Sequence, residues 1–141
     1  MSTIAVFPGQ GSQKLGMGKE IAENFKIAKL VFEEVDEALG DNLFKIMNSE
    51  DEVALKLTRN AQPALMANSI AILRVLENLS GRKSHNIFNF FAGHSLGEYT
   101  SLVAANSMRL SDAACLLRIR GDAMQSAVPF GQGAMTALIG V

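Results

Sequence analysis

Phe90-Phe91-Ala92-Gly93-His94-Ser95-Leu96-Gly97-Glu98 reads as a strand that turns abruptly into a helix. The apolar run before it, from about Asn86 and Ile87, predicts the strand, and the small residues after Gly97 predict the helix. Between them stands Gly-x-Ser-x-Gly, the nucleophile elbow. A chain that passes from strand to helix within a few residues crowds its own backbone, so glycines flank the serine on both sides. Ser95 Oγ is thereby held out from the turn. The first N–H groups of the helix have no intrahelical partner and sit at the positive end of its dipole. The Leu96 N–H can therefore donate to an oxyanion forming at Ser95. The other reading of these five residues is a glycine-rich turn with an ordinary serine.

Outward toward the N-terminus, Thr3-Ile4-Ala5-Val6-Phe7 predicts a buried strand closed by Pro8-Gly9. The loop Gly9-Gln10-Gly11-Ser12-Gln13 follows. A dinucleotide fingerprint asks for a third glycine where this chain has Lys14, so the loop is better suited to bringing backbone N–H groups close to a ligand. Residues 19–25 predict a short helix. Residues 27–39 predict an amphipathic one, with Ala28, Val31, Phe32, Val35 and Leu39 at helical spacing and Gly40 as its stop. Two short helical pieces are expected over 42–47 and 50–57. Asn60 is expected to cap a broad apolar helix that runs to Leu79, with Pro63 in its first turn.

Outward toward the C-terminus, small residues continue the helix after the elbow through 102–105. Ser111 is expected to cap another over 112–126. On that helix Ala113, Leu117, Arg120 and Met124 share one stripe, while Arg118 and Asp122 fall on the opposite side. Arg120 thus points where apolar residues point. An unpaired buried guanidinium costs several kcal/mol, so a carboxylate is expected to meet it, from the protein or from a ligand. The planar fork of arginine suits a ligand carboxylate, and the spacing leaves both sources open. Residues 134–141 predict a further strand.

The 141 residues suffice for one domain. With 48% hydrophobic and 19% charged residues and a net charge of −1, the chain carries no electrostatic footprint for nucleic acid or an anionic membrane. Its single cysteine, Cys115, excludes an internal disulfide and a cysteine-rich zinc site and is expected to be a structural thiol. No signal peptide or membrane span is legible, and a cytoplasmic protein is expected.

These motifs together resemble the malonyl-CoA:acyl carrier protein transacylases. Phe7-Pro8-Gly9-Gln10-Gly11-Ser12-Gln13 is similar to the N-terminal signature of that family, and Gln62-Pro63-Ala64-Leu65 to its middle motif. Gly93-His94-Ser95-Leu96-Gly97-Glu98-Tyr99 is similar to its elbow, and Arg120-Gly121 to its carboxylate-binding arginine. Gly133-Ala134-Met135 is similar to the start of its small inserted subdomain. The resemblance runs from Ile4 to Val141 but covers only about the first half of a family member.

The resemblance implies an α/β fold: a parallel sheet core of the α/β-hydrolase kind over 1–130, and the first strand of an inserted ferredoxin-like subdomain over 131–141. It implies Ser95 as the nucleophile, the backbone N–H groups of Gln10 and Leu96 as the oxyanion hole, and Arg120 as the partner of the malonyl carboxylate. His94 is a possible pocket residue. Malonyl-CoA would be the substrate, with no bound cofactor or metal, and acyl carrier protein the acceptor. Met17, Met124 and Met135 are further pocket candidates, although methionines at such spacing more often belong to a core.

The histidine that serves as base in this family has no counterpart among His85 and His94, the two histidines of the sequence. His94 is expected to project away from its neighbour Ser95. Losing the base costs a serine hydrolase on the order of a millionfold in turnover, so the isolated chain is expected to be nearly inactive. Unpaired strand edges are expected to favour self-association or a complementing C-terminal half. Two alternatives are a non-catalytic fragment that binds acyl-CoA or carrier protein and a serine esterase or thioesterase. Arg120 and the Gln10 loop favour the transacylase over the esterase.

Overall fold

The computed structural model describes residues 2–128, 132–133 and 138. The strand expected over 134–141, Met135 and the proposed second unit from 131 fall outside the described residues or are touched only at isolated positions. The described chain has α/β character, mostly helical with a small parallel sheet. β1 (Ile4–Phe7) pairs with β2 (Phe90–Gly93) in the register Ile4 to Phe90 through Phe7 to Gly93. Parallel neighbours need a crossover, and here it consists of six helices. They are α1 (Lys19–Asn24), α2 (Lys26–Leu39), α3 (Leu43–Met47), α4 (Glu52–Lys56), α5 (Thr58–Ser80) and α6 (Ser84–Ile87). After β2 come α7 (Leu96–Ala104) and α8 (Leu110–Ala127).

α5 is the hub, packing against α2, α7 and α8. Ala61, Ala64, Ala67 and Ala71 are buried along it, and their small side chains let neighbouring helices approach closely. Leu65, Met66 and Ile70 fill the spaces between, against Ala28, Val31, Phe32 and Val35 of α2 and Ala113, Ala114 and Leu117 of α8. The Phe32 ring stacks on Phe44 at 4.4 Å between centroids. The sheet is less well covered: Ile4, Val6 and Phe90 are 54%, 69% and 60% exposed.

Three local expectations need correction. The run before the elbow is not strand from residue 86. Residues 84–87 form a single helical turn, because the buried Glu77 carboxylate takes the Ser84 N–H at 2.7 Å and the Ser84 hydroxyl donates to Ala104 O at 3.0 Å. Asn60 does not cap α5, which begins two residues earlier; its amide donates to Ala54 O at 2.8 Å and its carbonyl oxygen accepts from Arg118. Ser111 is not the cap of α8. That helix starts at Leu110 after Arg109, whose guanidinium holds the first-turn Asp112 by two bonds of 2.7 and 2.8 Å.

Candidate active site

The elbow forms where β2 runs into α7. Ser95 has φ 55° and ψ −114°, one of only two non-glycine residues at positive φ among those described. Such a conformation costs on the order of 1–3 kcal/mol and persists only where the surroundings dictate it. The glycines on either side explain how the surroundings dictate it. A Cβ on Gly93 would come within 1.9 Å of Gly97 C and O, and one on Gly97 within 2.5 Å of Phe7 O. The turn is pinned to β1 by the His94 N–H, which donates to Phe7 O at 3.1 Å.

β1 and β2 are parallel neighbours, so the loop after β1 emerges beside the elbow. Gly9 of that loop lies against the His94 ring, where an added Cβ would come within 2.4 Å of Nδ1. Further bonds fix the loop: the Ser12 hydroxyl donates to Gly9 O at 3.2 Å, the Gly11 N–H to Gln13 Oε1 at 2.8 Å, and the Gln10 side chain to Thr58 Oγ1 at 3.3 Å. Neither the Gln10 nor the Leu96 N–H donates to another described residue.

Arg120 reaches the serine from α8. Its Nη2 donates to Ser95 Oγ at 3.0 Å and its Nη1 to Gln62 Oε1 at 2.7 Å, with the guanidinium 6.0 Å from the centre of the Tyr99 ring. Gln62 is 1% exposed, and its other arm donates to Met124 Sδ at 3.3 Å. Arg59, Arg74, Arg109 and Arg118 each meet a carboxylate, on Asp122, Glu77, Asp112 and Asp41 respectively. Among the described residues no carboxylate meets Arg120. Its partners are two neutral groups, and its fork keeps donors to spare.

The sequence placed Ser95 and Arg120 well enough to bring them together. It put Arg118 opposite the Arg120 stripe but did not foresee its partners. The Arg118 side chain is only 12% exposed, bonded to Asn60 and to Asp41 at 3.1 Å. Burial first and the charge of Arg59 second press its guanidinium below the ordinary arginine range. Gln62 was legible as part of a motif but not as the partner of Arg120, since 58 positions separate them. Met124, on the Arg120 stripe, is 41% exposed.

No histidine is hydrogen-bonded to Ser95 among the described residues. His94 and His85 are both exposed, the latter on α6. Cys115 is exposed on α8, its thiol donating to Ala38 O at 3.3 Å. A hollow of about 550 Å³ between α2 and α5, lined by Ile27, Leu30, Glu34 and Arg74 among others, includes none of these site residues. The chemistry-bearing groups instead lie where the two parallel strands end, after Phe7 and Gly93. No group of metal-ligating side chains occurs among the described residues.

The acyl transferase domain family matches residues 4–140. A malonyl CoA-acyl carrier protein transacylase of Bacillus subtilis is 48% identical over 142 aligned residues, which is 100% of this chain and 43% of that protein. The crystal structure of an acyl-carrier-protein-S-malonyltransferase from Bartonella henselae superposes with a TM-score of 0.88 at 53% identity, covering 92% of this chain and 41% of that one. A malonyl-transacylase in complex with a type II PKS acyl-carrier protein superposes with a TM-score of 0.83 at 40% identity, covering 92% and 40%. The chain thus spans less than half the length of the relatives it matches.

Proposed function

Since the chain belongs to the acyl transferase domain family, we propose that it carries the nucleophile and the carboxylate clamp of a malonyl transfer from coenzyme A to acyl carrier protein. The observation that carries this reading is Arg120, held by Gln62 and 3.0 Å from Ser95 with only neutral partners among the described residues. A guanidinium so placed suits an acyl group that ends in a free carboxylate. An acetyl thioester would leave it without its charge partner, which favours malonyl.

In the first half-reaction Ser95 Oγ bonds to the thioester carbonyl carbon and its proton passes to a base. The carbonyl oxygen becomes an oxyanion facing the Gln10 and Leu96 N–H groups, and collapse breaks the C–S bond, the thiolate leaving with a proton. In the second, the phosphopantetheine thiol of the carrier protein attacks the malonyl-serine and Ser95 leaves. The base is a histidine from outside these 141 residues, and His94 belongs to the pocket wall. Within the whole protein, β1 and β2 are two strands of an α/β-hydrolase-like sheet and residues from 131 open a ferredoxin-like subdomain. The chemistry calls on no metal or bound cofactor, and the setting is cytoplasmic fatty-acid synthesis. No helix among the described residues is long and apolar enough to cross a membrane.

The lack of a histidine on Ser95 among the described residues favours a second reading, a piece that binds acyl-CoA or carrier protein without turnover. Intact-protein mass spectrometry after incubation with malonyl-CoA separates the two. An adduct on this chain that disappears in Ser95→Ala and Arg120→Ala supports the assembled pocket. An adduct only when a chain supplying the C-terminal half is added supports half of an enzyme. No adduct in either case would sink the transfer and leave binding.

A further inference from the structure

We propose that Arg120 restrains Ser95 as well as selecting the substrate. Its guanidinium holds the serine oxygen, and the substrate carboxylate releases the nucleophile by drawing that guanidinium away. The inference rests on the reading of Ser95 as nucleophile and Arg120 as carboxylate clamp.

The argument begins with what each partner of Arg120 can do. Gln62 is buried and doubly bonded, so it fixes one arm of the fork. The other arm donates to Ser95 Oγ at 3.0 Å, placing a positive charge on a lone pair of the oxygen that has to attack. A hydrogen bond from a cation withdraws electron density from its acceptor, and a lone pair committed to it is not free for a carbonyl carbon. A carboxylate is a far stronger acceptor for the same N–H than a neutral hydroxyl. Its arrival shifts Nη2 from Ser95 to the ligand while Gln62 keeps Nη1 in place. Ser95, solvent-exposed and strained at φ 55°, is then free to react.

Selection on this scheme acts twice. A thioester without a carboxylate binds less well, and it also meets a serine still engaged by Arg120.

The test uses a small neutral fluorophosphonate that labels serine, in imidazole buffer so that a base is present, with Ser95 modification read by peptide mass spectrometry. Malonamate, which has one carboxylate, is compared with malonamide, which has none. Saturating malonamate is expected to speed labelling about tenfold, the size of one hydrogen bond to a charged group. Malonamide is expected to change nothing, and Arg120→Met to label at the faster rate without added ligand. The malonamate arm needs no variant, so misfolding of Arg120→Met does not decide the outcome. Equal labelling with and without malonamate, including none in either case, or slower labelling with it, overturns the restraint. Malonamate binding is followed separately by NMR titration. Binding that requires Arg120 without faster labelling removes the restraint and leaves the clamp, whereas no binding removes both.

Discussion

Gln62 and Arg120 join helices α5 and α8 through a 2.7 Å bond between side chains. The amide is the fixed member, being buried and held at its other end by Met124 Sδ. Gln62→Leu removes the acceptor and frees the guanidinium to swing. Malonamate affinity is expected to fall about tenfold, measured by NMR titration. Gln62→Glu is expected to weaken it further, because a built-in carboxylate then competes for the same charge.

Ser95 adopts φ 55°, where a side chain is strained and glycine is not. Ser95→Gly is therefore expected to exceed Ser95→Ala in stability by about 1 kcal/mol, although both lose the hydroxyl. Urea denaturation of the two variants compares them directly. Equal stability would show that the turn relaxes once the hydroxyl is gone.

Gly121 follows Arg120 at the closest approach of α8 to the start of α5. A Cβ there would come within 2.5 Å of Arg59 Cα and 2.9 Å of Thr58 O, both backbone atoms that cannot rotate aside. Gly121→Ala is expected to lose about 1–3 kcal/mol of stability by forcing the helices apart. The same shift carries Arg120 away from Ser95, so malonamate affinity falls with it.

The elbow was legible because its strain leaves a local trace: only glycines fit beside a backbone that folds back on itself within five residues. Arg120 was legible because helical spacing alone points it inward. The partners of both were not, since Gln62 and Asn60 reach α8 across 58 positions and no local pattern encodes that meeting. The strand boundary failed for a related reason. Ile87 and Phe88 look like strand, but the buried carboxylate of Glu77, seven positions before Ser84, captures the Ser84 N–H and sets a helical turn instead. For Arg118, opposite the Arg120 stripe, helix geometry gave a direction and not the Asn60 and Asp41 that lie there.

Glu77 governs part of the acid stability. Burial pushes its carboxyl up, but the Ser84 N–H and the Arg74 guanidinium together outweigh burial and hold it below the ordinary value of 4.5. A depressed carboxylate stabilises the fold fully above its unfolded value and loses that contribution as pH falls through the folded one. Unfolding followed from pH 7 downward is expected to steepen below about 4.5, and Glu77→Gln to flatten that limb. Asp36 acts oppositely. Burial raises its carboxyl above 3.8 despite N–H bonds from Phe44 and Leu43, so its contribution is present below that value and is lost as pH rises. Asp36→Asn is therefore expected to stabilise near neutrality and not in acid.

The pairing of β1 with β2 has a consequence for how the molecule comes into being. Thr3 and Asn89, bonded where the two strands begin, are 86 positions apart, farther in sequence than α2 is from α5, the most extensive helix pair between them. Closing so long a loop is entropically expensive and slow compared with forming local helices. The elbow and the Gln10 loop become neighbours only in chains that have closed it. Rapid labelling of Ser95 in the presence of imidazole and malonamate is therefore expected only in chains that have closed this loop, and a pulse of serine-directed label during refolding would time that closure.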